Sequence, residues 1–249
     1  MERSIAFLVY LVSALQPTQL EVAVDDGCNF QYLLNGEGRS WTAVIAQTRG
    51  TRLVPVRVLR KDIVTSTGKR RQASHLEIGG NVGRAPFPLF LVSGGPVEWQ
   101  ASLFLTWYPD SHRFVTDRPE PLGVLFPGEQ RVYVYEKCDA RLLRLYAIGE
   151  ASRSGDDLCF ENYALHVELQ DQLGANQTIY SARRVCGPSL PELLWAGDLD
   201  RDEVADLLFR FPVDQESFDV TLYLSHFGQT GSVLRKTATR RIRKCLPTD

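Results

Sequence analysis

YALHVELQDQLGANQTIYSARRV, residues 163–185, is the stretch that decides the fold class of this chain. Its two flanks, 163–169 and 178–185, contain the Leu, Val, Ile and Tyr side chains that are typical of strands. Residues 171–174, DQLG, are turn-forming. Two strands joined by so short a connection predict an antiparallel β-hairpin.

Two cysteines flank this hairpin. In an antiparallel pair, residues that face each other have numbers of constant sum, so Cys159 and Cys186 are expected to lie opposite each other at the open end. We therefore predict a Cys159–Cys186 disulfide. For the remaining cysteines we predict a Cys138–Cys245 bridge with Cys28 left as a thiol, although spacing leaves other pairings open. None of the spacings is that of a CxxC zinc or redox motif.

The rest of the chain repeats the strand pattern. Short runs of Val, Leu, Tyr, Phe and Trp are separated by Gly, Pro, Asn and Asp, which is typical of all-β sandwiches and barrels. Alternation of side chains is clearest in 132–135 and 220–225. Signals for helices are nearly absent. The predicted class is all-β.

A change in composition suggests two units. Prolines and charged residues cluster in 110–128, which is typical of a linker or of a crossing between sheets. We expect a sandwich-like N-terminal β unit over 24–120 and a sandwich-like C-terminal β unit over 121–245. A single intertwined domain is the alternative.

The N-terminus has the three parts of a secretory signal. Residues 2–4 are charged or polar, 5–12 are apolar, and small residues follow up to Ala14. We predict a signal peptide over 1–14, with cleavage after Ala23 as the alternative. The apolar run is too short to span a membrane, and no later segment is apolar enough, so a periplasmic or secreted protein without a transmembrane segment is expected.

Composition excludes some partners. With 44% hydrophobic and 23% charged residues in 249, the chain is expected to be globular. Its formal net charge of -2 argues against nucleic acid as a partner, because that requires a clustered positive field. The basic runs 69–71, predicted in a turn, and 240–244, predicted along the last strand, are expected to be solvent-exposed.

The segment WAGDLDRDEVADLLF, residues 195–209, carries the candidate site. Carboxylates at positions 1, 3, 5 and 9 of a tight loop converge and repel one another unless a hard cation neutralises them. Calcium is the expected ion because it accepts six to eight oxygen ligands in flexible geometry. The predicted ligands of one structural Ca²⁺, all within the loop 198–206, are the side chains of Asp198, Asp200, Asp202 and Asp206 and the carbonyl of Val204.

This loop resembles the Asp-rich calcium loops of integrin-type FG-GAP repeats and VCBS-like repeats, whose form is near DxDxDGxxD. Gly197 and the apolar pair 207–208 also match. Glu203 replaces the usual glycine, where a positive φ would cost on the order of 1 kcal/mol, and Arg201 adds a positive charge. The resemblance is to one copy, covers 195–209, and implies a calcium-binding β-hairpin in the C-terminal unit. The layout is also similar to that of exported bacterial proteins.

No motif for catalysis is present. The four histidines have no HxH or HxxxH spacing, and no GxSxG sequence occurs. The predicted function is therefore that of an exported, non-catalytic calcium-binding protein with a structural, adhesive or recognition role toward a protein or glycan partner. A secreted hydrolase with a site assembled from distant residues, or a carbohydrate-binding module using Trp107 and Tyr108, are the alternatives.

Overall fold

A computed structural model describes residues 20–24, 40–46, 51–64, 68, 70–78, 88–94, 104–108, 113–115, 123–135, 142–154, 157–170, 175–200, 202–225 and 232–243. Nearly all of them lie in antiparallel β-strands, and no α-helix occurs among them. The predicted all-β class is confirmed. Within the same ranges, no helix has the length and apolar character needed to cross a membrane.

The strands form three sheets. The N-terminal sheet, of order β1-β5-β2-β3-β4, contains β1 (Glu21–Ala23), β2 (Trp41–Ala46), β3 (Thr51–Val64), β4 (Arg70–Ile78) and β5 (Pro88–Ser93). The hairpin sheet, of order β12-β11-β10-β9-β6-β7, contains β6 (Phe104–Tyr108), β7 (Arg113–Val115), β9 (Gln130–Tyr135), β10 (Leu142–Ser154), β11 (Asp157–Gln170) and β12 (Ala175–Cys186). The central sheet, of order β16-β15-β14-β13-β8, contains β8 (Gly123–Val124), β13 (Glu192–Gly197), β14 (Asp206–Pro212), β15 (Ser217–Ser225) and β16 (Leu234–Arg243).

Strand β14 of the central sheet contacts a core on each face. Leu207 and Phe209 of β14 pack in a core shared with the hairpin sheet, which we call the first core. Leu208, between them in sequence, packs with Leu222 in the second core, which is shared with the N-terminal sheet. Successive side chains of a strand point to opposite faces, so a strand between two cores is apolar without alternation. This explains the continuous apolar run 207–209.

The second core depends on the N-terminal strands. Val22 of β1 and Phe90 of β5 are fully buried in it. Glu21 of β1 also lies 3.6 Å from Arg240 of β16, in an ion pair between the two sheets. The short strand β1 therefore contributes both to the N-terminal sheet and to its packing on the central sheet.

The hairpin predicted over 163–185 is confirmed as β11 and β12. Leu165 faces Tyr180 and Cys159 faces Cys186, as the constant sum requires. These two cysteines form the predicted disulfide. Cys28, Cys138 and Cys245 lie outside the described residues, so the second bridge stays a prediction.

Gln177 of β12 joins the hairpin sheet to the central sheet. Its side-chain Oε1 accepts the N–H groups of Val233 at 3.0 Å and Leu234 at 2.8 Å. Its Nε2 donates to the carbonyl of Leu234 at 3.0 Å. One amide thus reproduces the hydrogen bonds that a neighbouring strand would give to the start of β16.

Two further sequence predictions concern connections. The residues Arg70 and Arg71 were expected in a turn, and this is wrong, because both belong to β4, an edge strand. Charged residues on an edge strand discourage pairing with other chains, which accounts for their presence there. Strands β6 and β7 precede residue 121 and share a sheet with β9. The division into units at 120 stays a prediction.

Candidate metal centre

The acidic loop lies at one end of the central sheet, between the adjacent strands β13 and β14. Leu199 packs in the second core, whereas Val204 and Ala205 pack in the first. All three side chains are buried. Burial of this apolar surface on both sides of the sheet fixes the backbone from which the aspartates project.

Three carboxylates of the loop converge. One oxygen from each of Asp198, Asp200 and Asp206 lies within 4.8 Å of the others. Asp198 and Asp206 are fully buried and Asp200 is exposed. The group could therefore hold a metal ion, with one ligand open to solvent. Carboxylate oxygens are the ligands preferred by hard cations such as Ca²⁺ and Mg²⁺.

Asp206 is the most buried carboxylate of the site. Its Oδ2 accepts the N–H of Leu199 at 2.6 Å, and its Oδ1 accepts the N–H of Ser225 at 2.8 Å and the hydroxyl of Ser225 at 3.2 Å. These donors are all neutral. Burial, followed by the charge of Asp200, raises the pKa of Asp206 well above its ordinary value, although the N–H donors oppose the rise. A bound cation would offset this cost.

Asp200 shares this electrostatic environment. Although Asp200 is open to solvent on one side, desolvation by the surrounding loop, followed by the charges of Asp202 and Asp198, raises its pKa to about 6. Each of these charges disfavours ionisation of its neighbours, because carboxylates held this close repel one another. A divalent cation at the centre of the group would reverse the effect and favour the ionised forms.

Asp202 and Val204 were also predicted as ligands, but neither belongs to the group of three converging carboxylates. Oδ1 of Asp202 accepts the N–H of Val204 at 2.9 Å and its Oδ2 accepts the hydroxyl of Ser225 at 2.7 Å. Asp202 thus closes the loop by hydrogen bonds. The carbonyl of Val204 and the side chain of Asp202 stay predicted ligands, and Arg201 lies outside the described residues.

Glu203 has a backbone conformation that is favourable mainly for glycine. Its φ is 67°, in the left-handed region. Its N–H donates to Oδ2 of Asp198 at 3.2 Å, so this conformation turns the backbone toward a buried carboxylate. The loop therefore contains a non-glycine residue in a strained backbone conformation.

Replacing Glu203 by glycine is expected to raise the free energy of unfolding by about 0.5–1 kcal/mol, because relief of the strained φ exceeds the entropy cost of glycine. Urea unfolding with a chelator present measures it without a contribution from metal. The control Glu203→Gln removes the same charge and keeps the strain. If the glycine variant is no more stable than the glutamine variant, the strain is not costly.

Gly197 precedes the first aspartate and provides space rather than a special φ. A Cβ at this position would lie 2.1 Å from Cζ2 of the Trp195 indole. The indole is buried and meets the ring of Phe90 edge-on, with 5.2 Å between centroids. The indole therefore covers the backbone that leads into the loop.

Ser225 is a residue of the site that the sequence analysis missed. It ends β15, is 5% exposed, and donates to two aspartates of the loop. Its position could have been derived from the register of the two predicted strands. Leu207 faces Tyr223 in an antiparallel pair, so Ser225, two residues after Tyr223, lies beside the start of β14.

Of the histidines and the two rings named as alternatives, His166 is the residue whose side chain the structure describes. His166 stacks on Tyr146, with centroids 5.1 Å apart, and its Nδ1 bonds to the hydroxyl of Thr178. Trp107 and Tyr108 lie in β6, and their side chains fall outside the described part. No second group of three potential metal ligands occurs among the described residues. Comparisons with protein families, curated proteins and solved structures found no match.

Proposed function

We propose that the protein is an exported, non-catalytic β protein whose fold is completed by one calcium ion in the loop 198–206. The observation that carries this proposal is the convergence of Asp198, Asp200 and Asp206, two of them fully buried, within 4.8 Å. Asp202 and the carbonyl of Val204 would add further oxygens. The ion-bound fold then serves a structural, adhesive or recognition role toward a protein or glycan partner.

The chemistry of the loop favours calcium over other ions. Every ligand offered is an oxygen, whereas zinc sites use mostly Cys and His. Magnesium demands near-octahedral geometry and keeps several waters, whereas calcium accepts irregular cages of six to eight oxygens. The left-handed Glu203, at the position where the resembled FG-GAP and VCBS-like loops carry glycine, supports the same ion.

A structural role follows from where the loop is anchored. Leu199 packs in one core and Val204 in the other, so an ion held between their neighbours would restrain both sides of the central sheet. Because the unfolded chain has no preformed site, binding free energy adds to folding free energy. At calcium one hundred times above Kd the gain is about 2.7 kcal/mol.

The decisive variant is Asp200→Asn, for which we expect effects of opposite sign with and without calcium. With a chelator at pH 7.5, the variant should be more stable than the wild type. The fold raises the pKa of Asp200 to about 6, so its ionised form, present at pH 7.5, destabilises the fold. A carboxyl with a raised pKa contributes stability below its ordinary value of 3.8 and loses it as pH rises through about 6. With calcium, the wild type should be the more stable.

Thermal melts in calcium and in chelator, at pH 7.5 and 5, measure these differences. Glu216→Gln is the matched control, since it removes one negative charge from an exposed turn of the same sheet. It should respond to calcium as the wild type does. A wild type that melts at the same temperature in calcium and in chelator would contradict the calcium site.

Export is supported by the disulfide, and the burial of β1 favours the earlier of the two cleavage positions. The Cys159–Cys186 bridge suits an oxidising compartment. Val22 and Ala23 of β1 are fully buried, so cleavage after Ala14 retains this strand whereas cleavage after Ala23 removes it. We expect mass spectrometry of the exported protein to give a chain that begins at Leu15. A protein that keeps residues 1–14 would contradict the signal peptide.

A further inference from the structure

Ser225, the last residue of β15, lies beside the acidic loop. Its hydroxyl is 2.7 Å from Oδ2 of Asp202 and 3.2 Å from Oδ1 of Asp206, and its N–H donates to the same Asp206 oxygen at 2.8 Å. A hydroxyl carries a single proton. That proton is therefore shared between two carboxylates, one from within the loop and one from the start of β14.

We infer that Ser225 is a positioning residue of the calcium site, which rests on the function proposed above. Its hydroxyl holds Asp202 beside Asp206, so that the loop is arranged for the ion before the ion binds. Two carboxylates brought together without a donor between them would repel. Ser225 is 5% exposed and ends a buried strand, so its hydroxyl is fixed by the sheet rather than by the loop.

This position is typical of the hydrogen-bond partners that orient metal ligands. Such partners set the direction of each ligand oxygen, and their loss commonly weakens metal binding 10–100-fold. The contact also extends the site to a third strand. An ion in the loop would then restrain β15 as well as β13 and β14.

The same strand provides a matched control. Ser217 begins β15, is 7% exposed, and donates from its hydroxyl to Oδ2 of Asp214 at 2.5 Å. Ser217→Ala therefore removes a serine-to-aspartate hydrogen bond from the opposite end of β15. Loss of such a bond as a purely structural contact should lower the melting temperature and leave calcium affinity unchanged.

The test is calorimetric titration of the exported protein and its variants with calcium, together with melts in chelator. Ser225→Ala should raise the Kd for calcium about tenfold or more. Ser225→Thr retains the hydroxyl and should bind as the wild type does, and so should Ser217→Ala. If Ser225→Ala does not fold, Ser225→Cys, whose thiol is a weaker donor, should still show a raised Kd.

The outcomes separate the two proposals. A Ser225→Ala protein that binds calcium within twofold of the wild type overturns the positioning role and leaves the calcium site intact. Equal weakening in Ser225→Thr and Ser225→Ala also overturns it, because the hydroxyl would then not be what matters. A wild type that binds no calcium overturns the calcium site, and the role of Ser225 with it.

Discussion

Replacing Gly197 by alanine is expected to lower the free energy of unfolding by about 3 kcal/mol, the upper part of the range for overpacking a core. The new Cβ would lie 2.1, 2.7 and 2.8 Å from three atoms of the Trp195 ring. Real Cβ atoms do not approach other atoms so closely, so either the ring or the backbone must move.

Neither can move cheaply. Trp195 is 2% exposed and packs edge-on against Phe90 within the second core. Displacing a ring in a close-packed interior disturbs its neighbours as well. The backbone at Gly197 pairs with Asp206, so a shift there would move a carboxylate of the site. We therefore also expect Gly197→Ala to weaken calcium binding.

Urea unfolding of Gly197→Ala, Trp195→Phe and the double variant tests the cause. Removing the larger ring vacates the space that the alanine needs, so the double variant should be more stable than the sum of the two single effects indicates. If the two effects are additive, or if Gly197→Ala lowers the free energy of unfolding by less than about 0.5 kcal/mol, then the Trp195 ring is not the reason that glycine is needed at position 197.

Replacing both Cys159 and Cys186 by alanine is expected to cost about 3.5 kcal/mol, from the chain entropy of a loop of this length. The two cysteines are 27 residues apart and close the open end of the β11–β12 hairpin. Cys159 is fully buried, so the variant also loses packed sulfur atoms. The bridge thus restrains two long neighbouring strands of the hairpin sheet.

Urea midpoints of this double variant, and of the wild type with and without reductant, measure the effect. The control is Glu161→Ala with Arg184→Ala, a facing pair two residues from the bridge whose partly exposed ion pair spans 3.2 Å. Exposed ion pairs contribute about 0–1 kcal/mol, so the control should change little. A similar loss in both double variants would mean that the hairpin end itself, and not the bridge, is sensitive.

Local pattern was sufficient to predict the hairpin. The turn residues 171–174 and the strand residues on both sides predicted the pairing of Cys159 with Cys186, although the hairpin also contains a register shift between Leu165 and His166. The converging aspartates were predictable for the same reason. Asp198, Asp200 and Asp206 meet as their spacing predicted, whereas Asp202, which lies between them in sequence, is not part of the converging group.

Contacts between distant strands were not predictable in this way. Strand β13 was not expected, because its residues ELLWAG show no alternation of apolar and polar side chains. The packing of the central sheet between the two others depends on which apolar faces meet. Val22 and Leu222, for example, lie in the same core although they are two hundred residues apart in sequence. The contact of Ser225 with the loop likewise depends on the register of β14 and β15.

The two apolar faces of the central sheet have a consequence for folding. If β14 slipped by one residue against β15, Leu207 and Leu208 would exchange cores and both cores would still be filled with leucine. A sheet with one polar face penalises such a slip strongly, whereas this sheet does not. Asp206 makes the slipped register less stable. In that register its buried carboxylate would lose the hydrogen bonds from the N–H and the hydroxyl of Ser225. Asp206, at the start of β14, thus favours one register of β14 against β15.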